Sequence, residues 1–355
     1  MPLDCSPWST ALPDWEERLK SGESLIPDLP LFEGPAKKAL AIFKRLKVPD
    51  MIGTPSNGDV CEPWVFDFVE AVFGSYDPET RRRMIQEFFL LVPKKNTKSH
   101  IAAAIIVTAI IMNERPEAEC ILIAPTQEIA KIAFKQARGM ILLDEALGGK
   151  LSEDGGREGG IFHVQDHKKL ITHRTTGAEI KILSADGDVV TGSKATFILV
   201  DETHVLGHKP KAADILLELR GGLTSRPEGF FLQITTQSKM RPHGQFSKEL
   251  ETARAVRDGV LALPMLAVLY ELPKDMADAE AWRNEETWGL VNPNLGVSVD
   301  LEFLRNQYRV AVEKGPDALA LFASQHLNVE IGMGLKSGRW IGADYWAGAE
   351  VDGLD

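Results

Sequence analysis

Between residues 85 and 237 the chain alternates short, nearly unbroken apolar runs with longer stretches of helical spacing. FFLLVP (88–93) precedes KSHIAAAIIVTAIIMNE (98–114), and ILIAP (121–125) precedes TQEIAKIAFKQARGMILLDEAL (126–147). AEIKILSA (178–185), FILVDE (197–202) and FFLQITTQ (230–237) follow. Apolar runs without alternation are the mark of strands covered on both faces, and the helical stretches between them serve as crossovers. The pattern predicts an α/β fold with a mainly parallel central sheet covered by helices. Ligands of such sheets sit beyond the carboxyl ends of the strands. Residues 1–60, rich in Pro, Gly and Asp with one helical stretch near GPAKKALAIFKRLKV, read as an N-terminal arm, and 61–270 as the core. Beyond about 260 the spacing turns helical, with VNPNLG (291–296) as a rigid break and one long helix expected over 300–327. Residues 271–355 therefore read as a helical lid and linker. EDGGREGG (153–160) marks an exposed turn.

Composition narrows the class. With 355 residues, 44% hydrophobic and 26% charged, the chain has the make-up of a globular protein with a sizeable core. Its longest apolar run, IAAAIIVTAIIM (101–112), falls short of the ~20 residues of a membrane helix and reads as a core helix. MPLDCSPWSTALPDWEE lacks the basic and apolar regions of a secretory signal. Cys5, Cys61 and Cys120 are scattered, which fits a reducing compartment and no structural zinc site; the cytoplasm is the expected location. A net charge of −11 argues against a surface coated in basic residues, while leaving room for a motor that touches DNA through a local patch.

Three strand ends carry the chemistry. PKKNTKSH (93–100) follows the first apolar run and ends in Lys-Ser, as phosphate-binding loops do, although Val92 and Thr97 stand where glycines are usual. A phosphate site needs consecutive N–H groups, a helix N-terminus and a cation. The candidate loop Pro93, Lys95, Asn96, Thr97, Lys98, Ser99 and His100 supplies them, with Lys98 for phosphate, Ser99 for Mg²⁺ and Lys94 as a second cation. FILVDE puts Asp201 and Glu202 at a strand tip, either as solvated strand-end acids or as a site awaiting a cation. FFLQITTQ ends in Thr235 and Thr236, hydroxyls placed to sense a γ-phosphate from a neighbouring strand or present only as β-branched strand residues. Their order along the chain is that of an ATP motor of the RecA-like kind.

The residues resemble the ATPase domain of the large terminase subunit of tailed bacteriophages over roughly 60–346. The branch most similar has Pro-Arg/Lys-Lys-Asn-Gly-Lys-Ser where this chain has Pro93 to Ser99, and an acidic motif followed by histidine, as in DETH (201–204). It also has an Ile-Thr-Thr, here Ile234 to Thr236, and an Asn-Pro-Asn-Leu-Gly, here Asn292 to Gly296. A Leu-Asn before a Trp-containing linker matches Leu327, Asn328, Trp340 and Trp346. The resemblance implies a RecA-like (ASCE) P-loop ATPase using ATP and Mg²⁺. Lys98 and Ser99 would bind phosphate and metal, Asp201 would organise Mg²⁺, Glu202 would activate water, and Thr235 and Thr236 would couple hydrolysis to movement. It further implies double-stranded DNA, a portal protein and a small terminase subunit as partners, a ring of probable fivefold order, and action in the host cytoplasm without a membrane.

Three positions depart from that family. Thr97 replaces the loop glycine. Trp64, at the family's adenine-site tryptophan, is followed by Val65 instead of glutamine. Thr191 before Gly192 replaces the arginine that reaches a neighbour's site, which leaves Lys194 or Arg174 as candidate trans-acting cations. Of the tail acids, Asp352 and Asp355 form no two-metal cluster, so DNA cleavage is not expected of these residues. Two rivals share some features: a DExH-type helicase, which needs a second RecA-like domain, and an assembly protein that has lost catalysis at Thr97. His204 reads as a helix-start residue without a ligand role or as a contact to the neighbouring motif, and RRRM (81–84) as a solvated turn or a contact for DNA or a partner.

Overall fold

A computed structural model describes residues 7–152, 156–185 and 195–332. Its strands are β1 (Glu87–Leu91), β2 (Glu119–Ala124), β3 (Phe162–Gln165), β4 (Leu170–His173), β5 (Glu179–Ser184), β6 (Ala195–Asp201), β7 (Phe230–Thr235) and β8 (Met265–Leu269). They form one sheet in the order β8-β1-β7-β6-β2-β5-β4-β3, parallel from β8 to β5 and antiparallel over the last two. The longer helices are α1 (Trp15–Ser21), α2 (Glu33–Arg45), α3 (Pro63–Gly74), α4 (Lys98–Met112), α5 (Gln127–Leu142), α6 (Ala212–Gly222), α7 (Gly244–Arg257), α8 (Leu301–Lys314) and α9 (Pro316–Leu327).

Both faces of the sheet are covered, which is why its strands lack alternation. Phe88 and Leu90 of β1 join the large core with α3, α4 and α5, whereas Phe89 and Leu91 pack against Phe246 and Leu250 of α7. In β6, Ile198 and Val200 meet Leu216 and Leu219 of α6. Helix α4 is buried around nearly its whole girth, from Ile101 to Ile110, so the longest apolar run is a central helix as its sequence suggests.

Three features differ from the pattern read off the sequence. The helical change after 260 overlooks β8, MLAVL, a fully buried strand that completes the sheet beyond β1. The single helix over 300–327 is two, because Gly315 takes φ 96° and Pro316 opens the second. The stretch 126–147 likewise breaks at Leu143, and Asp144 Oδ1 accepts the Ala146 N–H (2.9 Å) to cap a short helix, Glu145–Gly148. Residues 271–331 are helices and turns around a separate apolar cluster built on Trp282, Trp288 and Phe322. Leu12, Trp15, Phe43 and Leu46 of the segment before residue 61 are buried in the main core. Arg83 of the RRRM cluster turns inward, donating to Glu228 O (2.7 Å) with its guanidinium over the Phe230 ring.

Helix α5 meets the N-terminal segment at Gly139, where an added Cβ would lie 2.4 Å from Pro49 Cβ. Alanine ordinarily stabilises a helix interior relative to glycine by ~1 kcal/mol. Here the clash reverses the sign, and Gly139→Ala should destabilise the fold by about 1–3 kcal/mol. Chemical denaturation of the two proteins measures the difference; a variant more stable than wild type would disprove this packing.

Candidate active site

The sheet order sets the site. Strand β7 lies between β1 and β6, in a register that pairs Thr235 with Leu91 and Ile234 with Asp201. The carboxyl ends of the three strands therefore deliver the Lys98 loop, the two acids and the threonines to one edge, where the open side of a parallel sheet faces a ligand.

The loop from Val92 to Thr97 holds two left-handed residues, Lys95 (φ 74°) and Thr97 (φ 56°). Thr97 thus takes the backbone shape that glycine usually supplies, at a cost of roughly 1 kcal/mol. Buried Asn96 holds that shape. Its Nδ2 donates to Pro93 O (3.2 Å) and Asn292 Oδ1 (3.0 Å), and its Oδ1 accepts the Asn294 N–H (3.1 Å). Asn294 Nδ2 donates to Thr97 Oγ1 (3.3 Å), Ser298 Oγ to Lys95 O (2.7 Å) and Lys94 N to Gln325 O (3.0 Å). At about 1 kcal/mol net apiece, these bonds outweigh the strain of two left-handed residues. Trp64 reaches the clamp as well, donating Nε1 to Asn294 Oδ1 (2.7 Å) with its ring edge-on to Tyr270.

Helix α4 starts at Lys98 with Thr97 as N-cap, so the free N–H groups of its first turn open toward the loop. Lys98 is buried, its Nζ donating to Pro93 O (3.2 Å). Burial lowers its pKa, against the opposing charges of Glu202 and Asp201. Lys94 is lowered too, by burial and by the like charge of Lys239, with Glu202 opposing. His100 turns away from the loop, its Nε2 2.7 Å from Asn57 Oδ1 and its Nδ1 3.0 Å from Gln136 Oε1.

Ser99 Oγ donates to Asp201 Oδ2 (2.7 Å). Asp201 is fully buried, and its Oδ1 has no hydrogen-bond partner. A buried carboxylate oxygen left unmet beside a serine hydroxyl fits a hard cation such as Mg²⁺, which takes one or two protein oxygens and keeps the rest of its shell. Burial and the neighbouring Glu202 push the Asp201 pKa up, to about 7. For Glu202, burial opposes ionisation but is outweighed by His204, Lys98 and Lys94, which hold its pKa below the ordinary range. Ionisation is therefore disfavoured at Asp201 and favoured at Glu202.

His204 does more than begin a helix. Its Nδ1 lies 3.1 Å from Glu202 Oε2 and 3.2 Å from Thr235 Oγ1, and its backbone N–H donates to that same hydroxyl (3.0 Å). Thr235 donates onward to Thr236 O (3.0 Å), and Thr236 Oγ1 donates to Asn328 Oδ1 (3.2 Å). Of the candidate trans-acting cations, Arg174 is exposed just past β4, at the far antiparallel end of the sheet. Thr191, Gly192, Lys194, Trp340, Trp346, Asp352, Asp355 and Cys5 lie outside the described residues.

The family model of the terminase large subunit ATPase domain matches residues 63–255, over half of the chain. The chain belongs to the terminase large subunit ATPase-domain family. Membership makes it an ATPase by class, with the RecA-like (ASCE) fold and with nucleotide as its cofactor. The crystal structure of the HK97 bacteriophage large terminase aligns with a TM-score of 0.66 at 22% identity, over 83% of this chain and 55% of that one, a likeness of fold. This chain thus spans about half the length of that terminase. The ATPase domain of the Thermus phage P74-26 large terminase aligns over 44% of this chain and 61% of its own, at 20% identity and a TM-score of 0.34. No curated protein matches. Among the described residues no helix is long and apolar enough to cross a membrane.

For the terminase ATPase domain in hand, the raised Asp201 pKa has a stability consequence. A carboxyl raised on folding contributes full stability below its unfolded value near ~4, and loses it as pH climbs through about 7. Asp201→Asn keeps an acceptor for Ser99 and removes the like charge. Without divalent cations it should stabilise the protein by about 1–3 kcal/mol at pH 8, the gain vanishing toward pH 4. Denaturant titrations across that range check it, and a gain that does not grow with pH refutes the assignment.

Proposed function

We propose that this chain is the ATP-hydrolysing motor domain of a viral DNA-packaging terminase, moving double-stranded DNA into a procapsid. The observation that carries the reading is the convergence at one sheet edge of a left-handed Lys-Ser loop, a buried Asp-Glu pair and the β7 threonines, with Ser99 Oγ already 2.7 Å from Asp201. The ATPase core spans 61–270, preceded by an N-terminal arm (1–60) and followed by a helical lid and linker (271–355). Double-stranded DNA, a portal protein and a small terminase subunit are its partners, in a ring of five subunits in the host cytoplasm.

The residues divide the work as follows. Pro93 to Ser99 and the first turn of α4, including the His100 N–H, cradle the phosphates, while Lys98 and Lys94 neutralise them. Trp64 steadies the loop from the base side through Asn294. Ser99 and Asp201 would hold Mg²⁺, which when bound supplies positive charge to the β- and γ-phosphate oxygens. Asp201 would hold the cation as a carboxylate, with any proton it carried released to solvent. Glu202, ionised and held by His204, orients the attacking water and accepts its proton. Thr235, which meets His204 on one side and Thr236 on the other, passes the change at the γ-phosphate position along β7.

ATP turnover at high protein concentration, with and without double-stranded DNA, tests the assignment. Lys98→Ala and Glu202→Gln should each lower kcat by about 10²-fold or more, with stability little changed for Glu202→Gln. Equal background rates for wild type and both variants would overturn the motor reading in favour of an assembly role.

A further inference from the structure

The last turn of α9 is polar yet buried: Ser324, Gln325 and Asn328 are 0%, 4% and 2% exposed. Buried polar groups persist where their hydrogen bonds hold something in place. Gln325 accepts the Lys94 N–H at its backbone oxygen (3.0 Å), and its side-chain Nε2 donates to Gln237 O (2.8 Å). Asn328, at φ 52°, caps the helix. Its Oδ1 accepts from Gln237 N (3.0 Å) and Thr236 Oγ1 (3.2 Å), and its Nδ2 donates to Tyr270 O (2.8 Å), just past β8. Ser324 Oγ donates to Ser238 O (2.6 Å). One helical turn therefore joins the phosphate loop, the segment leaving β7 and the end of β8.

That junction is incompletely satisfied. Gln237 Nε2 and Gln325 Oε1 are both buried without a hydrogen-bond partner, although the two residues already touch through Gln325 Nε2. One is a donor and the other an acceptor.

We propose that Gln325 and Asn328 are positioning residues that transmit the state of the phosphate loop at Lys94 to the segment after β7, and that turnover depends on this link while nucleotide binding does not. The proposal rests on the ATPase reading above. Gln325→Leu keeps the backbone oxygen that holds Lys94 and removes both Nε2 bonds, to Gln237 O and to Ser324 Oγ. Asn328→Gly keeps the left-handed backbone, which glycine favours, and removes all three side-chain bonds.

The test measures kcat for ATP, Kd for a fluorescent ATP analogue and thermal melting in wild type, both variants and the double variant. Each single change should lower kcat by about tenfold or more and leave Kd within about threefold of wild type. The double variant should fall no further than its worse parent, since both act on one segment. Folded variants with wild-type kcat would overturn the proposal, as would a Kd that rises in step with the loss of kcat. If Asn328→Gly fails to fold, the kcat and Kd of Gln325→Leu decide alone. Wild type no faster than Glu202→Gln would instead bring down the ATPase reading itself, and this proposal with it.

Discussion

The left-handed backbone at Thr97 is the constraint on which the candidate site depends, because that single turn of the chain both opens the loop and starts α4 with its free N–H groups facing the loop. A β-carbon makes the turn unfavourable, so the chain needs an external hold. Asn96 supplies it from inside the loop, and Asn292, Asn294, Ser298 and Gln325 supply it from the helical region far later in sequence. The helical region is thereby part of what shapes the Lys98 loop. Its own apolar cluster around Trp282, Trp288 and Phe322 keeps those asparagines in register with the loop.

Charge is arranged with the same economy. Two adjacent acids at a buried strand tip cannot both ionise cheaply, and the structure separates their roles by neighbours: His204 and the lysines favour charge on Glu202, while burial disfavours it on Asp201. Both acids keep a buried oxygen without a hydrogen-bond partner, Asp201 Oδ1 beside the Ser99 hydroxyl and Glu202 Oε2 facing His204 Nδ1 at 3.1 Å, and His204 in turn meets Thr235. Under the proposed function, Asp201 would be the acid that awaits a cation and Glu202 the acid that takes a proton, and the raised pKa of Asp201 would be the stability cost of that arrangement.

Much of this was legible in the sequence. Unbroken apolar runs announced a doubly covered sheet, and Lys-Ser, Asp-Glu and Thr-Thr each stood at the end of one, where a parallel sheet places its chemistry. Other parts were hidden for physical reasons. MLAVL is as apolar as the other strands but is followed by helices and precedes no crossover, so nothing in its spacing separated it from a helix turn. That His204 meets both Glu202 and Thr235 depends on how β6 and β7 end, a matter of register and not of local pattern.

The sequence alone determined which residue types stand at strand ends, since period and apolarity depend on local composition, and it determined that glycine is missing from the loop. Only the tertiary structure decided how threonine serves there. The hold on Thr97 comes from VNPNLG, whose sequence reads as a break between helices and whose value lies in hydrogen bonds to a loop far away along the chain. Such bonds carry no periodic signal, because each depends on where two packed bodies bring single polar atoms within 3 Å or so of one another.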